Sequence, residues 1–442
     1  MLKLFIQILL ASSLTVMGGA SAKAEGFIDS IEFSGMFESE MAVGTVMENA
    51  QKAEFVLTPE IGVDVTSSLR LTVIGRLRGD IVDELEPGQP AQRNRSALSK
   101  RWFINDHVEL ELREAYIDTE IGAAFLRVGK QQVVWGQADG LKVLDVLNPQ
   151  SFREFILDDF EDSRIPLWMV NVEIPVGEAM LQLLWIPDNT YDDIPEPGAT
   201  FAFTSPLIVP EIPPGVPVTV SPLERPDNLV GDSDVGAKLS VFVGGWDLSL
   251  NYAYHYFDRP VARREISATG ITVQQNYERT HLLGGTFSNV FGDFTLRGEV
   301  GYSSDRYFLT NDIADNDGVT RSSELAYVLG LDYQGWRDWF LSAQIFQSIV
   351  TDPAPGLVRD DVDTSATLLV RRDFMNDSLQ AEALLIQSLN QGDGVLQTSL
   401  NYEWSTNIRL QLGVDIFYGN SLGLFGQFDK NDRISMGIDI GF

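Results

Sequence analysis

The sequence predicts an all-β protein: a transmembrane, antiparallel, up-and-down β-barrel of about 18 strands, with 16 as the alternative count. Three observations predict it. The chain ends in Arg433–Phe442, where Ile434, Met436, Ile438, Ile440 and Phe442 alternate with Ser435, Gly437, Asp439 and Gly441, so this strand has one greasy and one polar or small face. Period-two segments recur from Glu25 onward, joined alternately by very short and long connections. Beyond the N-terminal segment, no stretch approaches the roughly 18 to 20 consecutive apolar residues of a spanning helix, so a chain that crosses a membrane must do so as a closed barrel.

The segments follow in order. Lys3 precedes an apolar run from Leu4 to Leu10 that continues to Val16, and Ala22-Lys23-Ala24 is a small-x-small cleavage site. Residues 1–24 therefore read as a signal peptide and residues 25–442 as the barrel. Strands are expected at Ile28–Met41, Ala53–Val65 and, after Thr66-Ser67-Ser68, Leu69–Gly79. In the third of these, Leu69, Leu71, Val73 and Leu77 alternate with Arg70, Thr72, Arg76 and Arg78. A polar loop from Asp80 to Asp106 leads to Val108–Thr119, and a turn at Gly122 to Ala124–Trp135. A loop of residues 136–165 precedes Leu167–Ile174 and Ala179–Ile186. The next connection, residues 187–233, holds ten of the 19 prolines, which lack the N–H a central strand must donate, and reads as an extracellular loop.

Asp234–Val243 and Trp246–Phe257 follow, and in the latter Trp246, Leu248, Leu250, Tyr252, Tyr254 and Tyr256 share one face. The same beat runs through Asn276–Ser288, Phe294–Ser304, Arg321–Tyr333, Trp339–Val350, Asp363–Phe374, Leu379–Asn390, Val395–Trp404 and Ile408–Tyr418 to the closing strand. The count falls to 16 if Ile28–Met41 and Leu167–Ile174, the least regular segments, are not strands. With an even number, the short turns occupy one rim and the long loops the other, and both termini share the short-turn rim. Segments of about ten residues, rising about 3.3 Å each and tilted about 40°, match a hydrocarbon layer of roughly 25 Å. The closing strand is expected to pair with the first, near Ile31 to Phe37.

The chain carries 32 Lys plus Arg against 63 Asp plus Glu, a formal net charge of −31. That balance repels a phosphate backbone, so nucleic acid is excluded as a partner. With 44% hydrophobic and 10% aromatic residues, the composition excludes disorder. There is no cysteine, hence no disulfide and no thiolate metal site. No Gly-x-Ser-x-Gly elbow, His-Glu-x-x-His or phosphate-binding glycine loop occurs. Of three histidines, His107, His255 and His281, none has a convincing serine partner, and His255 reads as lumen lining. Asp315-Asn316-Asp317-Gly318 lacks the spacing of a calcium loop and reads as a solvated loop. No catalytic residue, metal site or cofactor is expected.

The informative constellation is a charge asymmetry around the third long loop. Arg70, Arg76, Arg78, Arg113 and Arg127 occupy faces opposite the aliphatic residues of strands three to five, the expected lumen wall. The loop that follows contains Asp139, Asp145, Glu154, Asp158, Asp159, Glu161 and Asp162. Folded inward, it would set carboxylates against a guanidinium arc across a narrow opening, and such a transverse field sorts polar solutes by charge. Leu141, Leu144 and Leu147 recur at helix-like spacing, which predicts a short helix packed in the lumen. Trp135-Gly136 would end the fifth strand, and Asn148-Pro149 would fix a turn. Aromatics near strand ends, including Tyr252, Tyr254, Tyr302, Tyr333, Trp336, Trp339, Tyr402 and Trp404, read as interfacial girdles.

Leu126-Arg-Val-Gly-Lys-Gln-Gln-Val-Val-Trp-Gly-Gln137, followed by Leu144-Asp-Val-Leu-Asn-Pro149, is similar to a segment of an uncharacterised porin-like family of proteobacterial outer-membrane β-barrel proteins. In that family a Gly-(Arg or Lys)-Gln strand ends in Trp-Gly and leads to Asn-Pro. The inward-folding segment also resembles, in its position after strand five, the constriction loop of general diffusion porins. The closing strand resembles those of bacterial outer-membrane barrels, whose last residues, here Phe442, serve as an assembly signal. These resemblances imply the cell outer membrane of a Gram-negative bacterium, with periplasmic short turns. The implied partners are outer-membrane lipids and lipopolysaccharide, the barrel assembly machinery and periplasmic chaperones, with a homotrimer among the assemblies open to the chain. The leading function is a porin-like channel for small or elongated hydrophilic solutes. The alternatives are a transporter for hydrophobic compounds or polysaccharide, and a non-conducting surface lectin or assembly barrel.

Overall fold

The computed structural model describes residues 30–210, 215–312 and 314–442. The expected signal peptide lies outside them. Eighteen antiparallel strands form the wall: β1 (Ser30–Gly44), β2 (Ala50–Thr66), β3 (Leu69–Asp80), β4 (Val108–Ile121), β5 (Ala124–Gln131), β6 (Leu167–Val176), β7 (Ala179–Ile186), β8 (Asp234–Val243) and β9 (Trp246–Tyr256), then β10 (Arg279–Phe291), β11 (Phe294–Leu309), β12 (Val319–Tyr333), β13 (Trp339–Val350), β14 (Val362–Phe374), β15 (Leu379–Ser388), β16 (Gly394–Ser405), β17 (Ile408–Tyr418) and β18 (Arg433–Gly441). Each pairs with its neighbours in sequence, and β18 pairs with β1 from Met36↔Gly441 to Gly44↔Arg433. Phe442 completes the seam: its N–H donates to the Gly35 carbonyl and its own carbonyl accepts from Gly35 N–H, both at 3.0 Å. No edge remains, so every wall strand is paired on both sides.

The alternation read from the sequence sorts the side chains in space. Outward positions carry exposed aliphatics, among them Ile61, Leu110, Ile117, Leu250, Leu283, Val300, Leu329, Ile345, Leu368 and Leu412. Inward positions carry buried polar groups, including Thr72, Arg76, Glu109, Glu111, Arg113, Asn251, Thr286, Glu299 and Gln344. Apolar outside and polar inside is the pattern of a wall that faces lipid. Aromatic contacts mark the short-turn rim, with Trp246 against Phe291 at 5.8 Å, Phe294 against Tyr333 at 4.8 Å and Tyr333 against Trp336 at 5.4 Å between ring centroids. Short connections such as Gly244-Gly245 turn with both φ angles positive, at 59° and 86°, a conformation that glycine adopts without a Cβ clash.

All eighteen segments expected as strands contribute to the wall, the two least regular included. Pro59, in the middle of β2, is tolerated because the β2–β3 ladder breaks beside it, passing from Leu57↔Leu77 to Glu60↔Ile74. Several boundaries differ. The fifth strand ends at Gln131 and not at Trp135, because Gln131↔Leu167 is its last rung and the next available N–H, that of Val133, donates to Asn148 Oδ1 at 2.8 Å. The tenth begins at Arg279, since Gly270–Asn276 instead pairs with Val261–Ser267 and Val218–Val220 in a separate three-stranded sheet in the long-loop region. A four-residue strand, Trp102–Asn105, pairs with Val108–Leu110 at the long-loop end of β4.

Candidate functional site

Residues 132–166, the connection from β5 to β6, run through the barrel interior. Two residues before β5 ends, Gly129 has φ +141°, and a Cβ there would stand 2.1 Å from the Ala115 carbonyl oxygen. Asn148 ties the two ends of the loop together, accepting from Val133 N–H at 2.8 Å and donating to the Ile165 carbonyl at 2.9 Å. Trp135, Leu144 and Leu147 then pack on the inner wall with Val133, Leu167, Met169, Leu184, Ile186, Ala253 and Leu282. Trp135 is 1% exposed, and its indole N–H donates to Gln182 at 2.9 Å.

No helix forms over Leu141–Leu147. Gly140 takes a left-handed φ of +77°, and the backbone N–H groups of Gln137 and Leu144 donate to the Glu299 carboxylate of β11, the latter at 3.1 Å. Donors held by a carboxylate on the wall are withdrawn from any i−4 ladder. The α-helix of the loop is one turn, Phe160–Ser163. Its last carbonyls are met by Arg113, which donates to those of Glu161 at 2.7 Å and Asp162 at 3.1 Å.

The expected arginine arc is not a free arc. Arg76 pairs with Glu111 at 2.5 Å and Arg78 with Glu109 at 3.1 Å, both carboxylates belonging to the adjacent strand β4. Arg95 and Arg101, from the β3–β4 loop, reach the same two acids at 3.2 and 2.8 Å. Arg70 and Arg127 lie near the short-turn rim, bound to Glu32 and Asp64 and to Asp118 respectively. Arg76, Arg78, Arg95 and Arg101 are buried or nearly so, charges in such a setting must be paired, and Glu109 and Glu111 of β4 pair them.

The loop acids divide into anchors and free groups. Asp139 is held by Arg297 and by Gln344 at 2.8 Å, and Asp145 by Arg164 at 2.8 Å and Lys142 at 3.0 Å. Glu154 is buried between Lys52 at 2.5 Å and Arg433 at 2.6 Å, while its neighbour Arg153 reaches Glu54 and Asp80. Burial alone would push the Glu154 carboxyl up, but Lys52, Arg433 and Arg153 together hold it well below the usual carboxylate range. Asp158, Asp159, Glu161 and Asp162 have no cation within ion-pair distance among the described residues. Burial, reinforced by the Glu154 charge, pushes the Asp158 carboxyl up to about 8.

Asp158, Asp159 and Asp162 line a lumen cavity of about 570 Å³ together with Glu38, Glu382, Asp439, Arg371 and Arg409. The wall part of this lining is one continuous arc, from β14 through β18 to β3, and the loop acids face it across the cavity. Lys52, Glu54, Glu299, Arg297 and Arg433 were absent from the sequence reading of the site. Their inward alternation was visible, but which loop residue each would meet was not. Arg95 and Arg101 carried no signal, since they lie in an aperiodic loop. Asp315 accepts from Asp317 and Gly318 N–H at 3.1 and 3.2 Å, closing its own turn.

A closed antiparallel barrel of eighteen strands, apolar outside and crossed within by the loop after its fifth strand, defines the class as a large membrane-type β-barrel with a loop folded into its interior. The chain belongs to the family described as Protein of unknown function (DUF1302), which matches residues 104–357. Solved structures of like fold include Acinetobacter baumannii OccAB2, with TM-score 0.54 and 11% identity over 95% of this chain and 99% of that one. Pseudomonas aeruginosa OccK2 (OpdF), solved with glucuronate, gives 0.52 and 11% over 95% and 99%, and P. aeruginosa OpdK, solved with vanillate, 0.52 and 11% over 94% and 100%. At these identities the likeness is one of fold. No curated protein matches the chain in sequence.

Proposed function

We propose that the protein is an outer-membrane channel for small hydrophilic solutes, with the loop of residues 132–166 forming its narrowest section. The observation that carries this reading is the 570 Å³ lumen cavity, lined by charged groups of that loop and of the wall from β14 through β18 to β3. Its charged lining opposes a hydrophobic cargo, which would have to strip ordered water from carboxylates and guanidinium groups. That the barrels solved with glucuronate and vanillate share this fold supports a small solute as cargo.

The lining also sets a direction of selectivity. Glu38, Asp159, Asp162 and Asp439 face the cavity without an ion-pair partner, joined by Asp158 once it ionises, against Arg409 as a cation in the same condition among the described residues. In a narrow, low-dielectric opening, that excess lowers the barrier for cations and raises it for anions. Recordings in planar bilayers under a KCl gradient test the reading. The reversal potential of the wild type takes the sign of a cation-preferring pore, and the triple variant D158N/D159N/D162N moves toward zero. A wild type without conductance would sink the channel; an unmoved triple variant would remove the loop from the passage.

A further inference from the structure

The long β7–β8 connection sends one segment, Thr200–Ser205, to the opposite side of the barrel. β8 and β17 stand nine strands apart in a ring of eighteen, so a segment rooted at β7 and β8 that touches the β17–β18 loop crosses the mouth along a diameter. Its moorings are all neutral. Thr204 and Ser205 N–H donate to Gln427 Oε1 at 2.7 and 2.9 Å, Ser205 Oγ donates to the Leu422 carbonyl at 2.6 Å, and Asn431 donates to the Thr200 carbonyl at 2.5 Å. On the near side, Thr200 N–H donates to the Glu84 carbonyl at 2.8 Å.

Beneath the strap is the apolar side of the inner loop. Phe155 adopts a left-handed φ of +57°, which a bulky residue takes only when its surroundings impose it. The ion pairs of the adjacent Arg153 and Glu154 fix the backbone there, so the Phe155 ring is presented upward. It lies 5.9 Å from Phe203 of the strap and 4.9 Å from Phe428 of the β17–β18 loop. Phe201 of the strap is fully buried, 5.4 Å from Phe428. The inner loop is thus bolted to the wall by buried charges, whereas the strap meets it through the Phe203 ring and is tied to the β17–β18 loop by Phe201 and a few neutral hydrogen bonds.

We propose that Thr200–Ser205 is a lid that seats on Phe155 and lifts from Gln427 and Leu422 to open the mouth, while the inner loop stays in place. The inference rests on the channel reading above. The absence of cysteine makes it directly testable, since an introduced pair is the only thiol pair in the chain. In S205C/L422C, an oxidised lock confirmed by gel mobility is expected to abolish open-channel current, and reduction to restore it. In F201S/F203S the open fraction is expected to rise above that of the wild type. A fully cross-linked S205C/L422C that conducts like its reduced form would overturn the lid, as would an unchanged open fraction in F201S/F203S, while leaving the channel intact. If the wild type does not conduct, it is the channel reading that fails.

Discussion

Glu154 of the inner loop sits 2.6 Å from Arg433 of β18, so the loop is bolted to the strand that closes the barrel. Both side chains are nearly inaccessible, at 1% and 4% exposure, and Lys52 completes the arrangement at 2.5 Å from the same carboxylate. Removing the acid takes away the buried carboxylate that the two cations share, leaving Lys52 with Glu40 and Arg433 with Asp415. Glu154→Ala is therefore expected to destabilise the barrel by about 3–5 kcal/mol, measured as a lowered unfolding midpoint in detergent.

The same carboxylate makes stability depend on acid pH. Its native pKa lies well below the usual range, so the stabilisation is present above the unfolded value of about 4.3 and is lost as pH falls through the native value. Glu154→Gln should flatten the acid limb of a stability–pH curve. An unchanged acid limb would mean that Lys52 and Arg433 do not hold the charge.

Asp158 titrates in the opposite sense. With its carboxyl pushed up to about 8, it is mostly neutral below that value and gains a negative charge above it. Cation preference should therefore increase between about pH 6 and about pH 9, and D158N should reduce that increase. Reversal potentials at the two pH values check it.

At the root of the loop, Glu299 receives the N–H groups of Gln137 and Leu144. Glu299→Ala leaves both donors unmet and is expected to cost about 2–3 kcal/mol. With the loop loosened against β11, single-channel traces should show greater open-state noise than wild type.

The seam offers a steric test. A Cβ on Gly35 would stand 2.6 Å from the Phe442 ring and 2.9 Å from the Thr58 carbonyl oxygen. Gly35→Val should reduce the heat-modifiable, folded fraction on refolding, because the ring can turn aside but the Thr58 carbonyl oxygen, part of the β1–β2 backbone, cannot. Phe442→Ala keeps the terminal backbone hydrogen bonds, so a defect of this variant that appears in cells and not in refolding would assign Phe442 to the assembly signal.

The wall was legible because one force, burial of apolar side chains in lipid, writes a period of two into every strand. That the closing strand pairs with β1 followed from barrel closure alone, but the ladder covers Met36–Gly44 and overlaps the expected Ile31–Phe37 only at its end, because the register is set by the shear of the closed barrel. The interior was less legible because pairing there depends on register. Glu109, Glu111 and Arg113 stand at alternate positions of β4 and announce an inward charged row. Only the register with β3 shows that Glu111 and Glu109 neutralise Arg76 and Arg78. Leu141, Leu144 and Leu147 had helical spacing, but Glu299, 155 residues beyond Leu144, takes the N–H a helix would use. A competing side chain that distant leaves no mark on the local pattern.

The most direct test of the central claim is liposome swelling with the purified wild type and size-matched solutes of opposite charge. The account predicts swelling with small neutral and cationic solutes, slower entry of the anion, and a narrowing of that difference in D158N/D159N/D162N. Proteoliposomes that hold a verified folded barrel and yet swell with none of these solutes would contradict it.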